Sequence, residues 1–349
     1  MQWDFLHGLL LGLPSRLYDE AAWQRRRWYA RRPDARRRLR RPVVSVGALA
    51  AGGSGKTPVT AHVARLLVAM GERPAILSRG YGRAEPVDGV VVVRDTERVV
   101  GALATAGDEP WMLAQALEGV AVVVASDRYL AGRLAETRLG VTVHVLDDGF
   151  QHLQLERGTD LLVVSSEDLD NPVVLPGGRL RERLATARRA DALLVVDVAD
   201  DRRVSVAERL GLSRCFRVRR HVGAAAVAPP HHESGRLTAG ARVIAVAGVA
   251  RPERFFDEVR DAGFDLVRTL VFRDHHRFSP RDAARIQTEA RSVGAQAILT
   301  TEKDGVRLQA WLPFEPPLAT VPLRVSVEPA DEFRAFLADR LAAERASAA

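Results

Sequence analysis

Residues 52–58 read GGSGKTP and follow directly on RPVVSVGALAA. A β-branched run passing into glycines, then a lysine, a hydroxyl and a proline, suits a loop that wraps a polyphosphate at a helix start. On this reading the segment Ala50, Ala51, Gly52, Gly53, Ser54, Gly55, Lys56 and Thr57 cradles the phosphates of ATP. Lys56 reaches the β- and γ-phosphates, and the Thr57 hydroxyl ligates Mg²⁺. The usual pattern G-x-x-x-x-G-K-[ST] asks for glycine where Ala50 stands, so the entry to the loop has its own shape. Pro58 falls in the first turn of the following helix, where a missing N–H is harmless.

Such a site needs an acid at the end of a neighbouring strand to hold the metal. VTVHVLDD supplies Asp147 and Asp148. On the acceptor side, phosphoryl transfer to a hydroxyl requires a place for the proton. GDEPWML puts Asp108 and Glu109 just before Pro110, either as helix-start acids or as a base. RDHHRFSP offers His275 and His276, either a solvated pair or a proton partner. SRGYGR (78–83) and LDDGFQHLQLER (146–157), the latter with Gln151 and His152 behind the acids, carry further polar groups.

The elements that must position these groups alternate. Short Val/Ile/Leu runs at 43–47, 74–78, 90–94, 120–126, 141–147 and 161–166 are separated by amphipathic stretches such as 58–70 and 110–117. The pattern resumes with strands at 192–197, 242–248, 266–272, 297–301 and 322–327 and helices at 252–262, 280–293 and 331–345. Alternation of this kind predicts an α/β chain of parallel sheets with helices on both faces. At 349 residues two domains are expected. They are a P-loop domain over 42–155 and a second, smaller α/β domain over 156–340, with the boundary near the Pro/Gly-rich DNPVVLPGGRL and the site in the cleft.

Charge is unevenly spread. Residues 1–41 hold eleven Arg against Asp4, Asp19, Glu20 and Asp34, a net +7, which equals the net charge of the whole chain. The excess therefore sits on an N-terminal arm and the rest is balanced. Phe5, Leu6, Leu9, Leu10 and Leu13 share one helical face there, and Trp3, Tyr18, Trp23, Trp28 and Tyr29 interleave with the arginines. FLHGLLLGL is too short to span a bilayer, which takes about 20 residues. An amphipathic helix in the membrane interface fits best, with packing on its own domain and nucleic-acid binding as the rivals. Among 51 basic residues only Lys56 and Lys303 are lysines, which marks both as places where a compact ammonium is needed. A single cysteine, Cys215, excludes an internal disulfide and suits a reducing compartment.

Taken in order, VSVGALAAGGSGKTP, AILSRGYGR, AGDEPWMLA, VASDR, LDDGFQH, NPVVLPGGRLRE, VAGVARPERFF, FRDHHRFSP and LTTEKDGVRL resemble the tetraacyldisaccharide 4'-kinases of lipid A synthesis, from residue 43 to 308. The resemblance implies transfer of the ATP γ-phosphate to the 4'-hydroxyl of a tetraacyldisaccharide 1-phosphate at the cytoplasmic face of the bacterial inner membrane. It implies no nucleic acid and no obligate protein partner. By motif, Asp108 is the base for the sugar hydroxyl, His275 its partner, and Tyr81 and Arg128 meet the lipid headgroup. Asp147, Asp148 and Thr57 serve Mg²⁺. Two positions depart from the family pattern: Ala48, where asparagine is usual, and Gly178, which precedes Arg179 in place of proline. The competing reading, a membrane-associated partition-type ATPase switch, needs a lysine where Ala51 stands.

Overall fold

Every residue of Val43–Ala48 (β1) is buried, as a strand covered on both faces must be. The computed structural model describes residues 2–85, 87–228 and 237–348, apart from the side chains of residues 2–11, 200 and 348. The chain divides into two compact units, Met1–Arg219 with Val325–Ala349, and Arg220–Arg324.

The first unit opens with a 30-residue helix, α1 (Gln2–Arg31), which continues through Pro14. After β1 come α2 (Lys56–Ala69), β2 (Pro74–Ser78), β3 (Val91–Arg94), α3 (Leu103–Ala106), α4 (Asp108–Ala116), β4 (Ala121–Val124), α5 (Arg128–Arg138) and β5 (Val143–Asp147). The same unit continues with β6 (Thr159–Ser165), α6 (Ser166–Asp170), β7 (Ala192–Val196), α7 (Asp200–Leu210) and β8 (Cys215–Val222). In the second unit lie β9 (Ala226–Val227), β10 (Arg242–Ala247), α8 (Pro252–Asp261), β11 (Asp265–Val271), α9 (Pro280–Ser292), β12 (Ala297–Thr301), α10 (Glu302–Leu308) and β13 (Leu318–Val321). β14 (Leu323–Glu328) and α11 (Ala330–Ala348) end the chain.

Among the described residues the first unit's sheet has the order β14-β8-β7-β6-β1-β5-β2-β4-β3. β1 pairs in parallel with both β5 and β6, and β3 runs antiparallel to its neighbour β4. Strands thus fan out from β1 in both directions, and the crevice at the carboxyl ends of β1 and β5 is where such sheets bind ligands. Val59, Val63 and Leu67 of α2 and Phe333, Leu337 and Leu341 of α11 cover one face. Val206 and Leu210 of α7 and Ala131 and Ala135 of α5 cover the other. The second unit has a five-stranded sheet, β11-β10-β12-β13-β9, parallel except for β9.

The boundary expected at residue 155 falls elsewhere. β6 is hydrogen-bonded to β1 in the register Val44↔Thr159, so residues 156–219 extend the first sheet instead of founding a second domain. The Pro/Gly-rich stretch reads as a linker in composition, yet it is tied to the loop after β1 by an antiparallel bridge, Ala50↔Leu180. The expected C-terminal helix also returns to the first unit, with Phe333 edge-on to Phe216 at 5.0 Å. Strands β8, β9 and β13 lie outside the sequence expectations.

The arm is a docked helix over its second half: Ser15 accepts a hydrogen bond from the Gly177 amide at 2.9 Å, and Leu39 is buried beyond its end. Of its expected apolar face, Phe5, Leu6, Leu9 and Leu10 lie outside the described side chains, and Leu13 is 67% exposed. No helix of the described residues is long and apolar enough to cross a membrane. Because α11 completes the first unit's core, Phe333→Ala, at a residue only 1% exposed, is expected to destabilise that unit by about 3–5 kcal/mol in denaturant unfolding. A loss under about 1 kcal/mol would mean that α11 is not part of that core.

Candidate active site

The loop after β1 takes positive φ at Gly52, Gly53 and Gly55 (69°, 58° and 77°), a left-handed path that residues with a Cβ rarely follow. It delivers the chain to Lys56, where α2 starts with Gly55 at its cap position and no side chain capping it. The first-turn N–H groups of α2 are therefore left to a ligand. Ala50 is buried and bridged to Leu180, so a loop that lacks the first glycine is instead pinned by backbone pairing. Lys56 Nζ lies 3.1 Å from Ser54 Oγ and 3.6 Å from Asp148 Oδ1.

The two acids have different environments. Asp147 closes β5 beside Val46 of β1 and is buried, its Oδ1 accepting from Thr60 Oγ1 at 3.0 Å. Burial, then the neighbouring Glu109 and Asp148 charges, push its carboxyl up to about 7, against the opposing Thr60 hydrogen bond and Lys56. Asp148 sits at φ 53°, a strained conformation for a residue with a side chain. Its two carboxylate oxygens accept from Arg181 Nη1 at 2.8 and 2.7 Å, and the same nitrogen reaches Gln151 Oε1 at 3.2 Å. Close contact fixes the loop behind them: a Cβ on Gly47 would come within 2.6 Å of the Phe150 nitrogen.

Arg181 was not singled out as a site residue, and the strap that carries it is the main addition from the structure. Arg181 N donates to Leu49 O and Ala51 N donates to Arg179 O at 2.8 Å, while Arg179 Nη2 reaches Gly52 O at 2.9 Å. Strap and phosphate loop thus share backbone hydrogen bonds. On its other side the strap is held by α1. Arg26 forms a two-pronged pair with buried Glu182 at 2.6 and 2.8 Å, donates to Phe150 O at 3.0 Å, and stacks 4.5 Å from the Phe150 ring centre. The signal was present in LPGGRLRE, but nothing local in that segment tells which loop it pairs with.

GDEP and SRGYGR come together. Gly107 turns at φ 85° with its α-carbon against the Tyr81 carbonyl, and a Cβ there would lie 2.7 Å from that oxygen. The cap position of α4 is Gly107, without a side-chain cap, and Asp108 and Glu109 are acids of its first turn. Tyr81 is 74% exposed whereas Arg128 is 6% exposed. The two residues expected at the headgroup thus stand in unlike settings. Burial, then the Arg79 charge, lower the Arg128 guanidinium to about 10, with Asp147 and Asp148 opposing. Its Nε is buried without a hydrogen-bond partner, as is His152 Nε2. Burial, then Arg128, push the His152 imidazole down to about 4, so it is neutral at physiological pH.

In the second unit the histidine pair is divided by environment. His276 Nε2 lies 3.1 Å from Asp282 Oδ2, the carboxylate that completes the capping box of α9, and its ring packs on Phe272 and Phe278. His276 is part of the scaffold. His275, at φ 58°, has Lys303 Nζ 3.1 Å from Nε2 and Arg307 Nη2 3.2 Å from Nδ1. Lys303 also lies 3.7 Å from Asp274. Buried Asp304 anchors the cluster by accepting from the Gly248 amide at 2.8 Å and from Arg307 at 3.1 Å. Each of the two lysines therefore stands at a candidate site.

The side chains expected to hold a cation, Thr57, Asp147 and Asp148, offer hard oxygens, and no three-residue His/Cys/Asp/Glu cluster occurs among the described residues. A Mg²⁺ ion is usually held in this manner, by one or two carboxylates plus substrate phosphates.

Comparison with known proteins places this geometry. The family model for LpxK, the tetraacyldisaccharide-1-P 4'-kinase, matches residues 7–342. The chain is 42% identical over 276 residues to the tetraacyldisaccharide 4'-kinase of Geobacter metallireducens, covering 78% of this chain and 80% of that one. It is 39% identical over 311 residues to that of Geobacter sulfurreducens, covering 88% and 86%. Among solved structures, the crystal structure of the "apo" form of LpxK from Aquifex aeolicus in complex with ATP superposes with a TM-score of 0.74 at 29% identity, over 96% of this chain and 99% of that one. With its phosphate loop, doubled acid and strap all in the first unit, the chain belongs to the tetraacyldisaccharide 4'-kinase family.

Proposed function

We propose that the protein transfers the γ-phosphate of ATP to the 4'-hydroxyl of a tetraacyldisaccharide 1-phosphate. The observation that carries this is the uncapped start of α2 with Lys56 held beside Asp148, in a chain that belongs to this kinase family. The bond between the γ-phosphorus and the β–γ bridging oxygen breaks as the acceptor oxygen bonds to phosphorus. The backbone N–H groups of the loop and Lys56 take the phosphate charge. A partition-type switch has no support among the relatives. With γ-labelled ATP the label should move to the acylated disaccharide phosphate, and release of label only as free phosphate would refute the assignment.

For the site residues, Asp108 is the proposed base that receives the hydroxyl proton, and His275 its partner. Supporting this is the placement of Asp108 in the first turn of α4 and the difference of His275 from His276, which serves the scaffold through Asp282. Mg²⁺, when bound, neutralises charge on the β- and γ-phosphates, and Thr57, Asp147 and Asp148 are the oxygens suited to hold it. Tyr81, which is exposed, and Arg128, whose buried Nε has no hydrogen-bond partner, are the proposed contacts to the lipid headgroup. We place the protein at the cytoplasmic face of the inner membrane, since Leu13, Leu17, Tyr18 and Trp28 of α1 are exposed and an ATP-using enzyme draws on the cytoplasmic pool.

Three outcomes follow. Asp108→Ala should lower kcat about 100-fold or more, and Asp108→Ala with His275→Ala should cost little more than either alone, because residues acting as a pair are not additive. Multiplied losses would separate the two. Asp147 titrates near 7 when folded, above its unfolded value, so without metal its folded form retains a proton and stability falls as pH rises from about 4 to about 7. Mg²⁺ takes the ionised form. Its affinity, read by calorimetry with a non-hydrolysable nucleotide, should rise about tenfold per unit up to about pH 7 and then level off, and this slope should flatten in Asp147→Asn. An unchanged slope would remove Asp147 from the metal. Leu13→Ser with Leu17→Ser should weaken sedimentation with lipid vesicles while leaving turnover of detergent-dispersed acceptor intact; unchanged sedimentation would contradict the membrane placement.

A further inference from the structure

α1 and the short 3₁₀ turn at Leu184–Arg189 enclose a cavity of about 130 Å³. That is far more than the roughly 10–15 Å³ that admits one water. Its wall is cationic: Arg27 and Arg183 flank the Trp23 ring at 4.3 and 5.6 Å, and Arg188, Arg189 and Thr186 close the other side. The acids within reach are already engaged, Glu182 with Arg26, and Asp19 and Glu20 with Arg183. Arg27, Arg188 and Arg189 have no carboxylate partner among the described residues, and all three are exposed. Three guanidiniums without carboxylate partners line one cleft, an arrangement that favours an anion between them, and the planar fork of arginine matches a phosphate oxygen pair.

We infer that this cleft binds the phosphate of an anionic bilayer lipid, at a site separate from the acceptor. The inference rests on reading α1 as a membrane-surface helix. What favours a bilayer over a nucleic acid is the helix that forms the cleft. Leu17, Tyr18 and Trp28 of the same helix are exposed on either side of Trp23 along the chain, so a helix lying in the interface plane offers apolar surface next to the cleft. Indoles such as Trp23 concentrate at headgroup level in membrane proteins. A phosphate held here fixes the rotation and depth of α1, and so the orientation in which the first unit meets the membrane.

The test is sedimentation of the full-length protein with vesicles of phosphatidylglycerol mixed with phosphatidylcholine, against phosphatidylcholine alone. Arg188→Gln with Arg189→Gln should weaken binding to the anionic vesicles about 30-fold, the effect of removing two arginines at an anionic surface. Arg98→Gln with Arg138→Gln, an equal loss of exposed charge elsewhere on the first unit, should cost no more than about threefold. Turnover of acceptor dispersed in detergent should be unchanged in both. Arg27→Gln serves as a second probe if the double variant lowers Tm. Millimolar glycerol 3-phosphate should leave binding in place. If it releases the wild-type protein, the cleft is a site for a free phosphate and the lipid assignment fails, as it does if an RNA oligonucleotide competes. Equal losses in the two double variants overturn the cleft while sparing the membrane reading; no wild-type binding to any vesicle overturns the membrane reading itself.

Discussion

The contact between Arg181 and Asp148 is the point on which the first unit's site depends. Asp148 occupies a left-handed conformation at φ 53°, and such strain persists only where the surroundings over-determine it. Arg181 supplies that constraint with two short hydrogen bonds, and its own backbone is fixed by pairing with the phosphate loop. The strap is fixed in turn by α1 through Arg26 and Glu182, whose side chains are only 13% and 8% exposed. Breaking a buried pair of this kind costs about 3–5 kcal/mol, because the remaining charge is stranded. The N-terminal helix, the glycine-rich loop after β1 and an acid proposed for the metal are thus links of one hydrogen-bonded chain.

The adjacent acids divide the labour that a phosphoryl-transfer site requires. Asp147 is buried and hydrogen-bonded once by Thr60, and burial pushes its carboxyl up to about 7, which suits the metal role proposed for it. Asp148 is flanked by the Arg181 guanidinium and the Lys56 ammonium. The distribution of lysine follows the same logic. Arginine serves wherever a planar fork meets a carboxylate, as Arg26, Arg37 and Arg181 do, whereas Lys56 and Lys303 place a compact charge beside a flexible group.

The parts of this site that are local in sequence were legible there. A strand, glycines with room for positive φ, and an uncapped helix start are written consecutively in 43–58, and the acid pair ends its own strand. So were the alternation that makes the sheets parallel and the turn that brings GDEP into play. What depended on distant partners was not. The strap looks like a linker because its Pro and Gly satisfy turn statistics, while its actual partners are residues 49–52, about 130 positions earlier. The domain boundary moved for the same reason, since β6 joins β1 by register and not by proximity along the chain. His275 and His276 are neighbours in sequence with opposite surroundings, which only the capping box of α9 and the Lys303–Arg307 pair reveal.

The most direct test of the linkage is native-state hydrogen exchange of the amides of Ala51 and Arg181 in Glu182→Gln, a change remote from the phosphate loop in sequence and outside the transferring groups. If α1, strap and loop are coupled as their hydrogen bonds indicate, protection at both amides should fall by about tenfold or more, in step with a weaker affinity for ATP. Unchanged protection at Ala51, with exchange rising only near Arg26, would contradict it and leave the strap an independent surface element.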